Sequence, residues 1–153
     1  MNDSFILRDR KWRETNERVT LSSYAMLSEE SKGRFKKEDQ DPFRTVFERD
    51  RDRIIHSKTF RRLKHKTQVF INPDGDHFIT RMTHTLNVTQ IGRSIAKTLG
   101  LNSDLTEAIC LGHDVGHSPF GHTGEEVLND MLDGGWSHSE NSVKMLSIIE
   151  PLN

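Results

Sequence analysis

Cysteine is nearly missing from this 153-residue chain: Cys110 stands alone, so no internal disulfide and no cysteine-based zinc module can form. A reducing, cytoplasmic setting is the expectation. Apolar residues are also scarce, at 33 %, and no apolar run approaches the ~20 residues of a membrane span. The first eight residues, Met1 to Arg8, are too broken by polar groups for a signal peptide. These absences argue against a membrane protein and a secreted mini-protein. Histidine, by contrast, is plentiful: there are eight, four of them between positions 113 and 138.

The formal net charge of −1 averages unlike parts. Between Arg44 and Lys66 nine basic residues face only Glu48, Asp50 and Asp52, a local net of +6 that leaves −7 on the remainder. Such a stretch suits a polyanion, either a nucleotide phosphate chain or nucleic acid. A solvated basic helix face explains it equally well.

Residues 1–41 are polar and weakly periodic, and read as an arm with one short helix before the break at Asp41-Pro42. From Pro42 the apolar residues thicken into one or two helical pieces, and Asn72 to Asp76 form a turn cluster. His84, Val88, Ile91, Ile95 and Leu99 recur at helical spacing and predict one amphipathic helix with an inward stripe, stopped by Gly100. Ser103 is the expected cap of the next helix, with Leu105, Ala108, Ile109, Gly112 and His113 on its inner face. The glycines around Pro119 predict a loop. Thr123 to Glu126 read as a capping box for a short helix ending at Gly134-Gly135, and Ser137 to Glu140 as a second box for a last helix ending before Pro151. No strand pair is evident. The fold class is all-α.

His84 and His113 fall on apolar helix faces, and Asp114 follows His113 directly. One such histidine is ordinarily a satisfied core residue. Two on separate helices beside an aspartate fit a divalent cation, because burying Asp114 without a positive partner is costly. Mixed imidazole and carboxylate donors suit Mn²⁺, Fe²⁺, Zn²⁺ or Mg²⁺. His117 and His122 in the loop and His138 on the last helix are candidate general acids or phosphate donors, with a surface role as the plain alternative. Glu125 and Glu126 are either helix-capping acids or, for one of them, the acid that orients an imidazole.

Arg81-Met82-Thr83-His84-Thr85-Leu86 and the run from Leu111 to His122 resemble the opening motifs of the HD-domain superfamily. Within it the chain is similar to the deoxynucleoside triphosphate triphosphohydrolases of the bacterial dGTPase type. Arg49 to Ser57, Phe60 to Leu63, Lys66 to Phe70 and Trp136-Ser137-His138 resemble further signatures, so the likeness runs from about Tyr24 to Glu150. The resemblance implies an HD-domain helical bundle over 42–153 and a cleavage of dNTP, dGTP-like, to deoxynucleoside and inorganic triphosphate by attack at the α-phosphate. It implies His84, His113 and Asp114 as metal ligands, His122 with Glu125 as the catalytic pair, and His117 and His138 near the phosphates. Arg81 matches an arginine close to the triphosphate and Gln68 a glutamine that contacts the nucleoside. A homo-oligomer is implied as well.

The pattern departs from the family in two places. Its fourth metal ligand is an aspartate on a helix further along, and no acid here matches it, so a truncated chain incomplete at its C-terminus is the expectation. Ser139 and Asn141 stand where Asn and Gln are commoner. The alternatives are a nucleic-acid-binding module resting on the +6 stretch, an inactive regulatory HD-domain fragment, and an HD phosphohydrolase for a phosphomonoester or cyclic nucleotide.

Overall fold

A computed structural model describes residues 7–34, 36–66 and 79–150. The Asn72 to Asp76 turn cluster and Gln68 lie outside the described residues. Among those described the chain is all-α: α1 (Arg10–Thr20), α2 (Val46–His56), α3 (Lys58–Arg62), α4 (Arg81–Thr98), α5 (Ser103–Gly112), α6 (Gly121–Met131) and α7 (His138–Lys144), the last running into a π-turn over Met145–Ile149.

Local chemistry sets most of the helix starts. Thr45 caps α2 in a reciprocal box with Glu48, Ser57 caps α3, Thr80 caps α4 and Ser137 caps α7. The cap of α5 is Asn102, whose side chain accepts from the N–H groups of Asp104 and Leu105. Ser103, expected in that role, is the first helical residue: the longer Asn side chain reaches both orphan donors from one position earlier. The end of α4 falls at Gly100, whose φ of +68° closes a Schellman turn with Leu101 N–H donating to the Ala96 carbonyl at 2.8 Å. The predicted box at Thr123 does not open α6. That helix starts two residues earlier at Gly121, entered through Phe120 in the left-handed region at φ 65°.

α5 packs against both α2 and α4. Its core partners are Ile54, Phe60 and Leu63 from α2, α3 and the following turn, joined by Ala108, Leu111 and Val115, with Met82, Met145 and Leu146 closing the edges. Gly92 lies where a Cβ would meet the Cys110 sulfur at 2.8 Å, which lets α4 and α5 approach closely. The inner faces differ from expectation. On α4 the buried side chains are Arg81, Thr85, Thr89 and Ala96, while Ile91, Ile95 and Leu99 are each more than half exposed. The packed face lies about a quarter-turn round from the apolar stripe, because the crossing at Gly92 and the burial of Arg81 decide the helix rotation. Ile109 likewise points outward on α5, and Leu111 takes its place inside.

The stretch before α2 is tied to this body. Arg10 N–H donates to the Pro42 carbonyl, Ser22 N–H to the Gly100 carbonyl at 2.7 Å, and Arg13 pairs with Glu48. The first part of the +6 stretch is paired, whereas Lys58, Arg61, Arg62 and Lys64 beyond α2 are exposed. Arg44 pairs with Asp41 and Asp52, Arg49 and Arg53 with Glu38, and Arg51 with Asp52, Asp104 and Glu107. No helix among the described residues is long and apolar enough to cross a membrane.

Candidate active site

Three elements bring the first group of donors together. His84 stands on the first turn of α4, His113 directly follows α5, and Asp114 begins the turn beyond it. One donor atom from each lies within 4.8 Å of the others, and the rings of His84 and His113 meet edge to face at 5.7 Å. His113 Nδ1 lies 2.7 Å from the Cys110 carbonyl. A carbonyl only accepts, so Nδ1 carries the proton and Nε2 of the neutral ring keeps its lone pair. Asp114 is only 3 % exposed, and its charge is met by Arg81, whose guanidinium donates to Oδ2 at 3.0 Å. Two imidazoles and a buried, arginine-paired carboxylate facing one another fit a divalent cation.

A second group lies alongside. His117 follows in the same turn as Asp114, with its N–H donating to the Asp114 carbonyl at 3.1 Å. Its ring stacks on His138 at 4.6 Å and meets His122 edge-on at 5.1 Å. Glu125 joins the other two: it accepts from His122 Nδ1 at 3.1 Å, and from both Nδ1 and the backbone N–H of His138. Burial alone would push the Glu125 carboxyl up, but these donors outweigh it and hold the group at about 2. The His117 ring is buried with neither nitrogen hydrogen-bonded to a described residue. Burial, and then the charge of Arg81, lower it to about 4, so it is neutral in neutral water.

The motif order, the paired histidine clusters and the all-α scaffold converge with two comparisons. Residues 81–153 match the HD domain. Over 130 residues the chain is 64 % identical to a deoxyguanosinetriphosphate triphosphohydrolase-like protein of Caldanaerobacter subterraneus, covering 85 % of this chain and 38 % of that one. Similar proteins of the same name occur in Clostridium tetani (59 % identical over 141 residues, 92 % of this chain and 40 % of that one) and Desulfatibacillum aliphaticivorans (55 % over 130, 85 % and 37 %). The chain carries an HD domain over residues 81–153. It spans about two fifths of the length of the curated relatives it matches.

Within this HD domain the structure places every sequence-predicted site residue except Gln68, which lies outside the described residues. Arg81 is buried against Asp114, and its Nε has no partner among the described residues. Glu126 is exposed, whereas Glu125 orients two imidazoles. Two groups carried no individual site role in the sequence reading, although Lys66 closes its basic stretch. Lys66, partly buried, sends Nζ to the His117 carbonyl at 2.6 Å, and its own carbonyl accepts from the Arg81 N–H. Ser142 lies buried between the two halves of the site: its hydroxyl meets the Gly116 N–H and the carbonyls of His113 and His138, each within 2.9 Å. Beside it, Asn141 Nδ2 donates to the Gly116 carbonyl at 2.7 Å. The one available signal was position: Ser142 is one helical turn past His138, on the same face of α7.

Proposed function

We propose that this chain carries the metal-binding and proton-transfer groups of a hydrolase that cleaves a dNTP, dGTP-like, to deoxynucleoside and inorganic triphosphate. The observation that carries it is the adjacency of two sets: His84, His113 and Asp114 as a cation-ligating triad, and His117, His122 and His138 gathered around Glu125. The names of the similar proteins, dGTP triphosphohydrolase-like, point to the same substrate class.

His84, His113 and Asp114 hold the divalent cation, with Arg81 fixing the Asp114 carboxylate. When bound, such an ion polarises a phosphoryl oxygen and makes water a better nucleophile. Glu125, ionised at all ordinary pH, keeps the Nδ1 protons of His122 and His138 in place and so fixes the tautomer of both rings. In the doubly protonated ring, Nε2 of His122 is then the nitrogen that gives its proton to the departing 5′ oxygen, leaving the neutral imidazole with its Nδ1–H on Glu125. Neutral His117 donates its one ring N–H to a phosphate oxygen, and His138 does so through Nε2 in its doubly protonated form. Arg81, through the donors that Asp114 does not occupy, and Lys66 add positive charge beside them. Gln68 is the nucleoside contact, and a reducing, cytoplasmic setting and a homo-oligomer complete the proposal.

The test is incubation of the protein with each of the four dNTPs and Mn²⁺ or Mg²⁺, with products separated by ion exchange and by ³¹P NMR. Equimolar deoxynucleoside and triphosphate are expected. Release of pyrophosphate or single phosphate would overturn the reaction class, and absence of any product would overturn the activity for this chain.

A further inference from the structure

The second histidine group has the composition of a cation site in its own right. His117, His122, His138 and Glu125 each offer one donor atom, and these four atoms lie within 4.8 Å of one another. They arrive from three elements: the turn after α5, the first turn of α6 and the start of α7. His117 is 2 % exposed, and both of its nitrogens lack a partner among the described residues. A buried polar group left without a partner is destabilising, a cost that a ligand at this point would remove. Glu125 receives the Nδ1 protons of His122 and His138, which leaves the Nε2 lone pairs of both rings unprotonated in the neutral form. A carboxylate behind an imidazole is also the common support of a metal-ligating histidine.

We propose that His117, His122 and His138, supported by Glu125, form a second divalent-cation site, separate from the His84, His113 and Asp114 triad and selective for Zn²⁺ over Mg²⁺. Selectivity follows from the donors. Zn²⁺ takes three imidazoles and one further ligand in a tetrahedron, whereas Mg²⁺ demands an octahedron of oxygens. Occupation needs one rearrangement. The rings of His117 and His138 lie 13° from parallel, so their in-plane lone pairs run side by side instead of converging. His122, whose side chain is 75 % exposed, has the room to turn, whereas His138 has to swing out of its stack on His117, which is itself fixed by burial. If the proposed hydrolysis is right, the ion captures the nitrogens that move the proton and bind phosphate, so Zn²⁺ bound here inhibits. That consequence alone rests on the proposed function.

The experiment counts ions. The purified protein is equilibrated with Zn²⁺, passed through a desalting column and analysed for zinc per chain, with calorimetric titration in parallel. Two ions per chain are expected for the native protein, and a tenfold excess of Mg²⁺ does not displace the one in the second site. His122→Asn, at an exposed position, and His138→Asn each reduce the count from two to one. Asp114→Asn also reduces it to one, and the ion retained then shows the four-coordinate visible band when Co²⁺ replaces Zn²⁺. A native count of one, or a count of two that survives both His122→Asn and His138→Asn, overturns the proposal. Two ions in a protein that hydrolyses no dNTP supports the second site and overturns the proposed hydrolysis instead.

Discussion

Replacing Gly116 by alanine tests how the two halves of the site are held together. A Cβ on Gly116 would lie 2.5 Å from the Asn141 carbonyl carbon and 2.7 Å from Ser142 Cα, with the Ser142 nitrogen closer still. All three are backbone atoms, so no rotamer change relieves the overlap. Ordinary contact between such atoms needs about 3.5 Å, so α7 must retreat by about 1 Å. The hydrogen bonds from Gly116 N–H to Ser142 Oγ (2.9 Å), from Asn141 Nδ2 to the Gly116 carbonyl (2.7 Å) and from Ser142 Oγ to the His113 carbonyl (2.8 Å) then pass beyond bonding distance. At about 1 kcal/mol net for each, and more where a buried group is left unpaired, the loss is about 3–5 kcal/mol. That lowers the melting temperature by about 10 °C in a chain of this size. Circular dichroism at 222 nm during heating, with urea titration, measures it. Because the collision is with backbone, adding Ser142→Ala does not rescue Gly116→Ala. An unchanged midpoint in Gly116→Ala, or recovery in the double variant, would refute the reasoning. Since His138 opens α7, the same retreat draws it from Glu125, so the triphosphate release of the proposed function is expected to fall with stability.

Further outcomes follow from the charges. Asp114→Ala leaves the Arg81 guanidinium buried without its carboxylate and costs about 3–5 kcal/mol by urea titration, part of which Asp114→Ala/Arg81→Met restores; a double variant no more stable than the single would count against a buried pair. His117 titrates at about 4 when folded, with burial and then Arg81 as the causes, against about 6.5 unfolded. The unfolded chain therefore binds the proton first: this contribution is full above pH ~6.5 and is lost as pH falls towards 4, by about 3 kcal/mol. His117→Leu should flatten the stability curve over that window, and parallel curves would remove the assignment. Glu125 adds a separate loss below pH ~4.5, as its carboxyl is held at about 2 by the His138 and His122 donors against the opposing effect of burial. Arg51→Met, which cuts α2 from Asp104 and Glu107 on α5, costs about 0.5–1 kcal/mol at low salt, and 1 M NaCl should erase most of the difference.

Local signals made most helices legible. The periodicity over 84–99, the stop at Gly100 and the cap at Ser137 depend on nearest neighbours in the chain, and the corresponding elements are present. Rotation was not legible. The stripe of Ile91, Ile95 and Leu99 is the obvious inner face of α4, yet Thr85, Thr89 and Ala96 are buried in its place. What decides this is the crossing at Gly92 and Cys110 and the pull of Arg81 towards Asp114, both contacts between distant residues. The start of α6 failed for a related reason: the loop geometry through Phe120 and Gly121, not the Thr123 side chain, begins the helix. At the site, the histidines and Asp114 announce themselves by residue type. Ser142 and Lys66 do not, because each acts through backbone groups that only the folded chain brings within reach.

The same distinction relocates the positive charge. In the sequence it concentrates between Arg44 and Lys66, a stretch that suits a polyanion or a solvated basic face equally well. In the fold the arginines of α2 are spent on Glu38, Asp52, Asp104 and Glu107, so they join helices and leave little net field. The cations that border the histidines are Arg81 and Lys66, joined by a backbone hydrogen bond and each already turned to the turn that follows α5. Burial disfavours the charge on Lys66, and Arg81 and Arg62 disfavour it further. A phosphate chain arriving beside them would reverse that penalty. The proposed function therefore puts anion recognition at the start of α4 and the end of α5, where Arg81 keeps a donor that Asp114 does not occupy.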